Sequence, residues 1–131
     1  MRPRIVCLCG STRFRDAFQA ANREETLQGK IVLSVGLFGH GEDKNVVTEE
    51  IKARLDRLHL EKIRLSDEIL VLNVEGHIGE STAREIACAL YLGRSVRFLE
   101  KIKGETYLED EAHTLGRRMQ EISKIVWGGV G

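Results

Sequence analysis

Short apolar runs alternate with amphipathic stretches along this chain. The runs at residues 5–9, 31–35, 69–72 and 96–99 are nearly continuous, which is typical of strands covered on both faces. The stretches between and after them repeat apolar residues every three or four positions. That spacing predicts helices over 12–28, 48–65, 82–92 and 108–126.

Strands that alternate with helices imply parallel pairing through crossover connections. We therefore expect a three-layer α/β fold, Rossmann-like or flavodoxin-like, with an open parallel sheet of four to five strands and helices on both faces. Thr48 is the expected N-cap of the second helix. The expected inner stripe of that helix consists of Ile51, Leu55, Leu58 and Leu65.

The totals favour one small domain over residues 1–131. Lys plus Arg equals Asp plus Glu at 20 each, and this balance argues against a partner such as DNA or RNA. Three cysteines without a secretion signature indicate reduced thiols in the cytoplasm. The apolar runs are too short to span a membrane, so no membrane partner is expected.

Ligands of open parallel sheets bind outside the carboxyl ends of the strands. The first loop at such an end contains Gly10, Ser11, Thr12 and Arg13. A glycine turn, two hydroxyls, a helix N-terminus and a guanidinium together favour contact with phosphate or sugar. The alternative is a plain N-cap followed by a solvated arginine.

The second loop, residues 36–47, contains Phe38 and His40. Twelve irregular residues are long for such a connection, and long loops are often functional. Phe38 could stack on a base and His40 could contact a sugar or base. In the alternative, Phe38 packs into the core and the loop is an ordinary surface loop.

The third segment, 73–85, leads from Asn73 through a glycine-bearing loop to Glu85 on the next helix. Thr82-x-x-Glu85 fits a capping box, in which the glutamate returns to a backbone amide of its own helix. The competing interpretation is a carboxylate aimed at an electrophilic carbon. Such a nucleophile cleaves glycosidic bonds through a covalent intermediate.

The second half of the sequence resembles the nucleoside 2-deoxyribosyltransferase superfamily, which includes nucleotide N-glycoside hydrolases. The resemblance lies in Asp67-Glu68-Ile69-Leu70-Val71-Leu72-Asn73, in Ser81-Thr82-Ala83-Arg84-Glu85-Ile86-Ala87-Cys88-Ala89 and in Leu92-Gly93-Arg94-Ser95-Val96. The opening Cys9-Gly10-Ser11-Thr12-Arg13 loop is also similar to that of the family.

The resemblance implies that Glu85 is the nucleophile at C1′ of a nucleoside or nucleotide. Where the family often has an aspartate, eight positions before Asp67, this chain has His59, a candidate proton donor to the leaving base. The alternative for His59 is a half-buried helix histidine. The expected substrate-binding residues are Gly10, Ser11, Thr12, Arg13, Phe38, His40, Asn73, Gly79, Ser81 and Thr82.

The expected function is therefore cleavage or transfer at the N-glycosidic bond of a nucleoside or nucleoside 5′-monophosphate, without a cofactor. Members of this family often pair subunits, so a homodimer or larger homo-oligomer is expected. The alternative function is a non-catalytic module that binds a nucleotide derivative. A related phosphoribohydrolase fits less well because its Pro-Gly-Gly element is missing, and a protein-interaction domain is the remaining alternative.

No metal ion is expected. Cys7 and Cys9 point to one face of their strand, but no further ligand lies close to them in the sequence. Small buried hydrophobic residues are the simpler interpretation of these two cysteines.

Overall fold

The computed structural model describes residues 2–39, 41 and 43–101. Within them the order of elements is β1 (Ile5–Cys9), α1 (Arg15–Leu27), β2 (Ile31–Leu33), α2 (Glu49–Leu65), β3 (Glu68–Val71), a 3-10 turn (Val74–Gly76), α3 (Glu80–Tyr91) and β4 (Ser95–Phe98). The predicted α/β class is confirmed. The predicted helix over 108–126 and the chain after residue 101 lie outside the described residues.

The four strands form one parallel sheet in the order β2-β1-β3-β4. The two central strands are in register from Val6 opposite Glu68 to Cys9 opposite Val71. From β1 the chain goes to one edge strand, and from β3 it goes to the other. The strand order therefore reverses between β1 and β3, and a crevice is expected at their carboxyl ends.

Alternate residues of the central strands supply two separate apolar cores, one on each face of the sheet. On one face, Cys7, Cys9, Ile69 and Val71 pack against α2 and α3. On the other face, Val6, Leu8, Leu70 and Leu72 pack against α1 through Phe18 and Ala21. Helices thus cover both faces of the sheet, as the continuous apolar runs predict.

The predicted N-cap of α2 is confirmed. The Thr48 hydroxyl oxygen accepts a hydrogen bond from the amide of Ile51 at 3.3 Å. Glu49 and Glu50 follow in the first turn, where the helix dipole favours negative charge. By contrast, α1 begins at Arg15 and not at residue 12, because residues 11–14 form a turn closed by the Phe14 amide on the Ser11 carbonyl at 3.0 Å.

The capping-box interpretation of Thr82 and Glu85 is wrong. The helix begins at Glu80, two residues earlier than expected, and its N-cap is Gly79, whose carbonyl accepts from the Ala83 amide at 2.9 Å. Thr82 is consequently the third helical residue and is buried. Glu85 lies too far into the helix to cap it, and its side chain is free for another role.

The predicted inner stripe of α2 is partly wrong. Leu58 and Leu65 are 51% and 67% exposed, whereas His59 and Ile63 are buried. The buried face of α2 includes the polar residue His59, which a search for apolar residues at helical spacing does not find. Neither α2 nor any other helix in the described part of the chain is long and apolar enough to cross a membrane.

Charged side chains gather near the amino ends of the strands. Glu68, the first residue of β3, is bonded by Arg4 and Arg97 and lies 3.2 Å from the Lys30 ammonium. Lys30 and Arg97 also contact Glu25 of α1. Both carboxylates are buried, and each is matched by at least two cations. We call Arg4, Glu25, Lys30, Glu68 and Arg97 the amino-end ion cluster.

Candidate functional site

A cavity of about 730 Å³ opens at the carboxyl ends of the strands. Its wall combines the loops that follow β1, β2 and β3 with one face of α2 and the first turns of α3. The volume lies within the range of small-molecule sites. The cavity also lies at the point where strand order reverses, so its position matches the expectation from the sheet topology.

The turn after β1 forms one side of the cavity through Gly10, Ser11 and Thr12. This turn lies directly against the end of the neighbouring strand. A β-carbon at position 10 would lie 3.2 Å from both the β-carbon and the carbonyl oxygen of Leu72. Glycine at this position therefore lets the turn pack closely beside β3.

The start of α3 forms the opposite side of the cavity. Gly79, Ser81 and Thr82 line it, and the helix begins between the first two of these residues. First-turn amides have no carbonyl partner within their own helix, and they carry the positive end of its dipole. The site therefore presents hydroxyls and amides suited to the hydroxyls or phosphate of a sugar ligand.

The floor of the cavity carries an acid and an imidazole. Glu85 of α3 and His59 of α2 both line it, and a Glu85 carboxylate oxygen lies 3.8 Å from His59 Nε2. Their side chains are 14% and 9% exposed. Packing of α2 against α3 brings the two groups together.

The environment shifts the pKa of both groups upward. Burial raises the pKa of Glu85 to about 7, against the opposing effect of His59. Burial alone would lower the pKa of His59, but the Cys7 thiol and the Glu85 charge outweigh that effect and raise it. Perturbed groups that share a cleft are typical of functional sites.

Two thiols of β1 contact the His59 imidazole from inside the core. His59 Nε2 is 3.6 Å from Cys7 Sγ and 3.5 Å from Cys9 Sγ, and both cysteines are fully buried. The neighbouring Cys9 thiol and, to a smaller extent, His59 lower the pKa of Cys7, although burial opposes this. Burial and the neighbouring Cys7 raise the pKa of Cys9. The two strand cysteines and the helix histidine thus form one polar group inside the core.

The structure brings most of the predicted site residues together. Around the cavity lie Gly10, Ser11, Thr12, His59, Gly79, Ser81, Thr82 and Glu85. His40 lies outside the described residues.

Three predicted contact residues are placed elsewhere, and within the described chain the cavity wall does not include them. The Arg13 guanidinium lies 4.9 Å from the centre of the Phe14 ring. Phe38 packs edge-on against Phe18 at 5.7 Å, the core position weighed above as its alternative. The Asn73 side-chain amide makes hydrogen bonds of 2.9 and 3.0 Å with the backbone of Glu100, so it joins the segments that follow β3 and β4.

Several residues of the wall were missed from the sequence. The cationic ones are Lys52, Lys62 and Arg84. Lys62 donates to the Ser34 carbonyl at 2.7 Å, and Lys52 pairs with Asp56 at 2.9 Å. His59 and Lys62 are three residues apart on α2, so they lie on the same face of that helix. This spacing of two polar residues is the sequence signal that could have placed Lys62 in the cavity wall with His59.

Fold and site together define a class: a parallel α/β domain with a small-molecule cavity at the topological switch point and an acid–imidazole pair on its floor. Comparison with protein-family models, with curated proteins and with solved structures finds no match to this chain.

Proposed function

We propose that this chain cleaves the N-glycosidic bond of a nucleoside or nucleoside 5′-monophosphate, passing the sugar to water or to a second base. This reaction is the one expected of the nucleoside 2-deoxyribosyltransferase superfamily, which the sequence resembles. The observation that supports it best is the Glu85–His59 pair on the floor of a cavity bordered by the Gly10 turn and the start of α3. Glu85 does not serve as a cap, which removes its main alternative role.

The chemistry divides between the two floor residues. A Glu85 carboxylate oxygen attacks C1′, the C1′–N bond breaks, and its electron pair goes to the base. Protonated His59 donates its Nε2 proton to the departing base nitrogen. Water then attacks C1′, the bond to Glu85 breaks, and the proton of that water returns to His59. Both residues end in their starting states.

The remaining wall holds the sugar and its 5′ substituent. The Ser11, Thr12 and Ser81 hydroxyls and the first amides of α3 supply donors and acceptors on two sides of the cavity. Burial of Glu85 keeps bulk water from its carboxylate and strengthens its field at the anomeric carbon.

We include in the proposal a cytoplasmic location and a homo-oligomeric state.

The test is base release from a panel of nucleosides and nucleoside monophosphates. We expect Glu85→Ala to lower the rate by about 10³-fold or more, because loss of a nucleophile removes the covalent route. The control is Glu24→Gln, which changes a largely exposed carboxylate on α1 and should leave the rate unchanged. Circular dichroism verifies the fold of each variant. Equal rates in wild type and Glu85→Ala would refute the assignment.

A second measurement isolates the role of the imidazole. His59→Gln should slow base release by about 10²- to 10⁴-fold. The loss should be smaller for substrates whose base leaves readily without a proton. Mass spectrometry of the quenched wild-type reaction should find a pentosyl group on the peptide that contains Glu85. Binding of a panel member without any base release would instead favour the non-catalytic nucleotide-binding module.

A further inference from the structure

We propose that Cys7, Cys9 and His59 form a binding site for a thiophilic divalent cation, with zinc as its expected occupant. The three side chains come from two elements that pack face to face, β1 and α2, and their ligand atoms all lie within 4.8 Å of one another. The site goes beyond the proposed glycosidase chemistry, since two of its three residues have no part in that reaction.

The spacing of the ligand atoms fits a tetrahedral ion. Zinc–sulfur bonds of about 2.3 Å and zinc–nitrogen bonds of about 2.0 Å give a sulfur–nitrogen edge of about 3.5 Å. The two observed distances from His59 Nε2 to the thiol sulfurs are 3.6 and 3.5 Å. The third edge, between the two sulfurs, is within 4.8 Å, and a tetrahedral ion requires about 3.8 Å there, a difference that rotation of the cysteine side chains can supply.

The contacts of the imidazole also favour a ligand role. His59 Nε2 faces two sulfurs and, at 3.8 Å, a carboxylate oxygen. Thiols are weak hydrogen-bond partners, and 3.8 Å exceeds the length of an ordinary N–H···O bond. A cation placed among these atoms would accept the lone pair of the nitrogen and the charge of the thiolates together.

The surroundings supply selectivity and access. Two sulfurs and one imidazole prefer zinc over magnesium or calcium, which bind oxygen ligands. His59 lines the cavity, so an ion can reach the group from that side. Glu85 lies beside His59 there, where its carboxylate, directly or through a water molecule, can complete the fourth position.

The sequence predicts no metal ion because no third ligand lies close to Cys7 and Cys9 along the chain. Cys7 and Cys9 are two residues apart, whereas His59 lies fifty residues further along the chain. The packing of α2 against β1 supplies this third ligand. Cys88 provides an internal comparison, since it is buried in the same core but does not belong to the three-residue group.

The first experiment measures metal binding in the reduced full-length protein without substrate. After treatment with a chelator, the protein is titrated with Co²⁺ and Zn²⁺ against a chromophoric competitor. We expect one ion per chain, thiolate-to-cobalt charge-transfer bands and a tetrahedral cobalt spectrum. X-ray absorption of the zinc form should show two sulfur neighbours at about 2.3 Å and nitrogen or oxygen neighbours at about 2.0 Å.

Variants identify the ligands. Cys7→Ser and His59→Gln should each weaken zinc binding by about 100-fold or more, since loss of a supporting partner alone costs up to that much. The matched control is Cys88→Ser, which should bind as wild type does. Equal zinc affinity in Cys7→Ser, His59→Gln and wild type would overturn the site. So would a zinc environment without sulfur, which the wild-type spectrum reports even if a variant fails to fold.

Metal and substrate would compete for His59, a consequence that rests on the proposed function. Zinc-loaded protein should release base at least about tenfold more slowly than the chelator-treated protein, because the ion occupies the nitrogen that donates the proton. Full activity with zinc bound at the thiols would contradict this consequence. Absence of base release under all conditions would count against the glycosidase alone, because the binding measurements use no substrate.

Discussion

Buried carboxylates at the two ends of the sheet have pKa values shifted in opposite directions. At the amino end, Glu68 is surrounded by Arg4, Lys30 and Arg97. Burial alone would raise its pKa, but the hydrogen bonds from these three cations lower it to about 2. At the carboxyl end, the ion-pair partner of Glu85 within the described residues is His59, at 3.8 Å, and burial raises the pKa of Glu85 to about 7.

Under the proposed function, this difference separates a carboxylate that supports the fold from one that takes part in the reaction. A carboxylate matched by several cations is stabilised in its ionised form and is a poor nucleophile. A buried carboxylate whose cationic neighbours do not offset the cost of burial is less stable in its ionised form and more basic. If the proposed function holds, glutamates at the two ends of one sheet have two roles, which are set by the number of cationic partners and by access to the cavity.

The largest expected difference in stability comes from the amino-end ion cluster. Glu68→Gln should lower the free energy of unfolding by about 2–3 kcal/mol, because it leaves partly buried cations without their carboxylate. This expected loss is smaller than is usual for a fully buried ion pair, because the Arg4 and Arg97 side chains are 49% and 41% exposed. Urea unfolding measures the change.

The control for that measurement is Glu24→Gln, which removes a surface pair with Arg23 and should cost less than about 0.5 kcal/mol. Equal losses in Glu68→Gln and Glu24→Gln would contradict the contrast drawn between buried and exposed pairs.

Acid should weaken the amino-end ion cluster before it affects the apolar cores. The pKa of Glu68 is about 2 in the folded protein, below its ordinary value of 4.5. Its stabilising contribution is complete above the unfolded pKa and is lost as pH falls through 4.5 towards 2. We expect Glu68 to account for about 1–2 kcal/mol of this loss, after allowance for screening of the exposed arginines.

The contribution of Glu68 is measured as the difference in free energy of unfolding between wild type and Glu68→Gln, determined in urea over a series of pH values. The gap between the two proteins should narrow in acid. A gap that stays constant down to pH 2 would show that Glu68 gains nothing from its cations.

Much of the fold follows from local patterns. The first strand, Ile5–Cys9, has the predicted bounds, and Thr48 caps α2 as predicted. These features depend on short-range physics, namely continuous apolar runs and a side chain that caps its own helix. The carboxyl-end location of the cavity also follows from element order alone, since the rule for parallel sheets does not depend on sequence detail.

The errors fall where tertiary contacts override local patterns. Thr82 and Glu85 have the spacing of a capping box, yet α3 begins at Glu80 with Gly79 as its N-cap, which leaves the glutamate side chain to the cavity. Leu58 is exposed and His59 is buried, so the face of α2 cannot be read from its leucines. The approach of His59 to Cys7 and Cys9 spans fifty residues, and no local pattern reports such a contact.

The smallest predicted effect tests the carboxyl end of the comparison. In the presence of a chelator at neutral pH, Glu85→Gln should leave the free energy of unfolding unchanged or raise it by up to about 1 kcal/mol. The neutral amide keeps the shape of the side chain and removes the cost of burying a charge, which the attraction of His59 offsets only in part. Glu68→Gln makes the same chemical change at the other end of the sheet and should have the opposite sign. If urea unfolding finds that both substitutions destabilise equally, Glu85 contributes to the fold as Glu68 does. Its place on the cavity floor would then have a structural explanation.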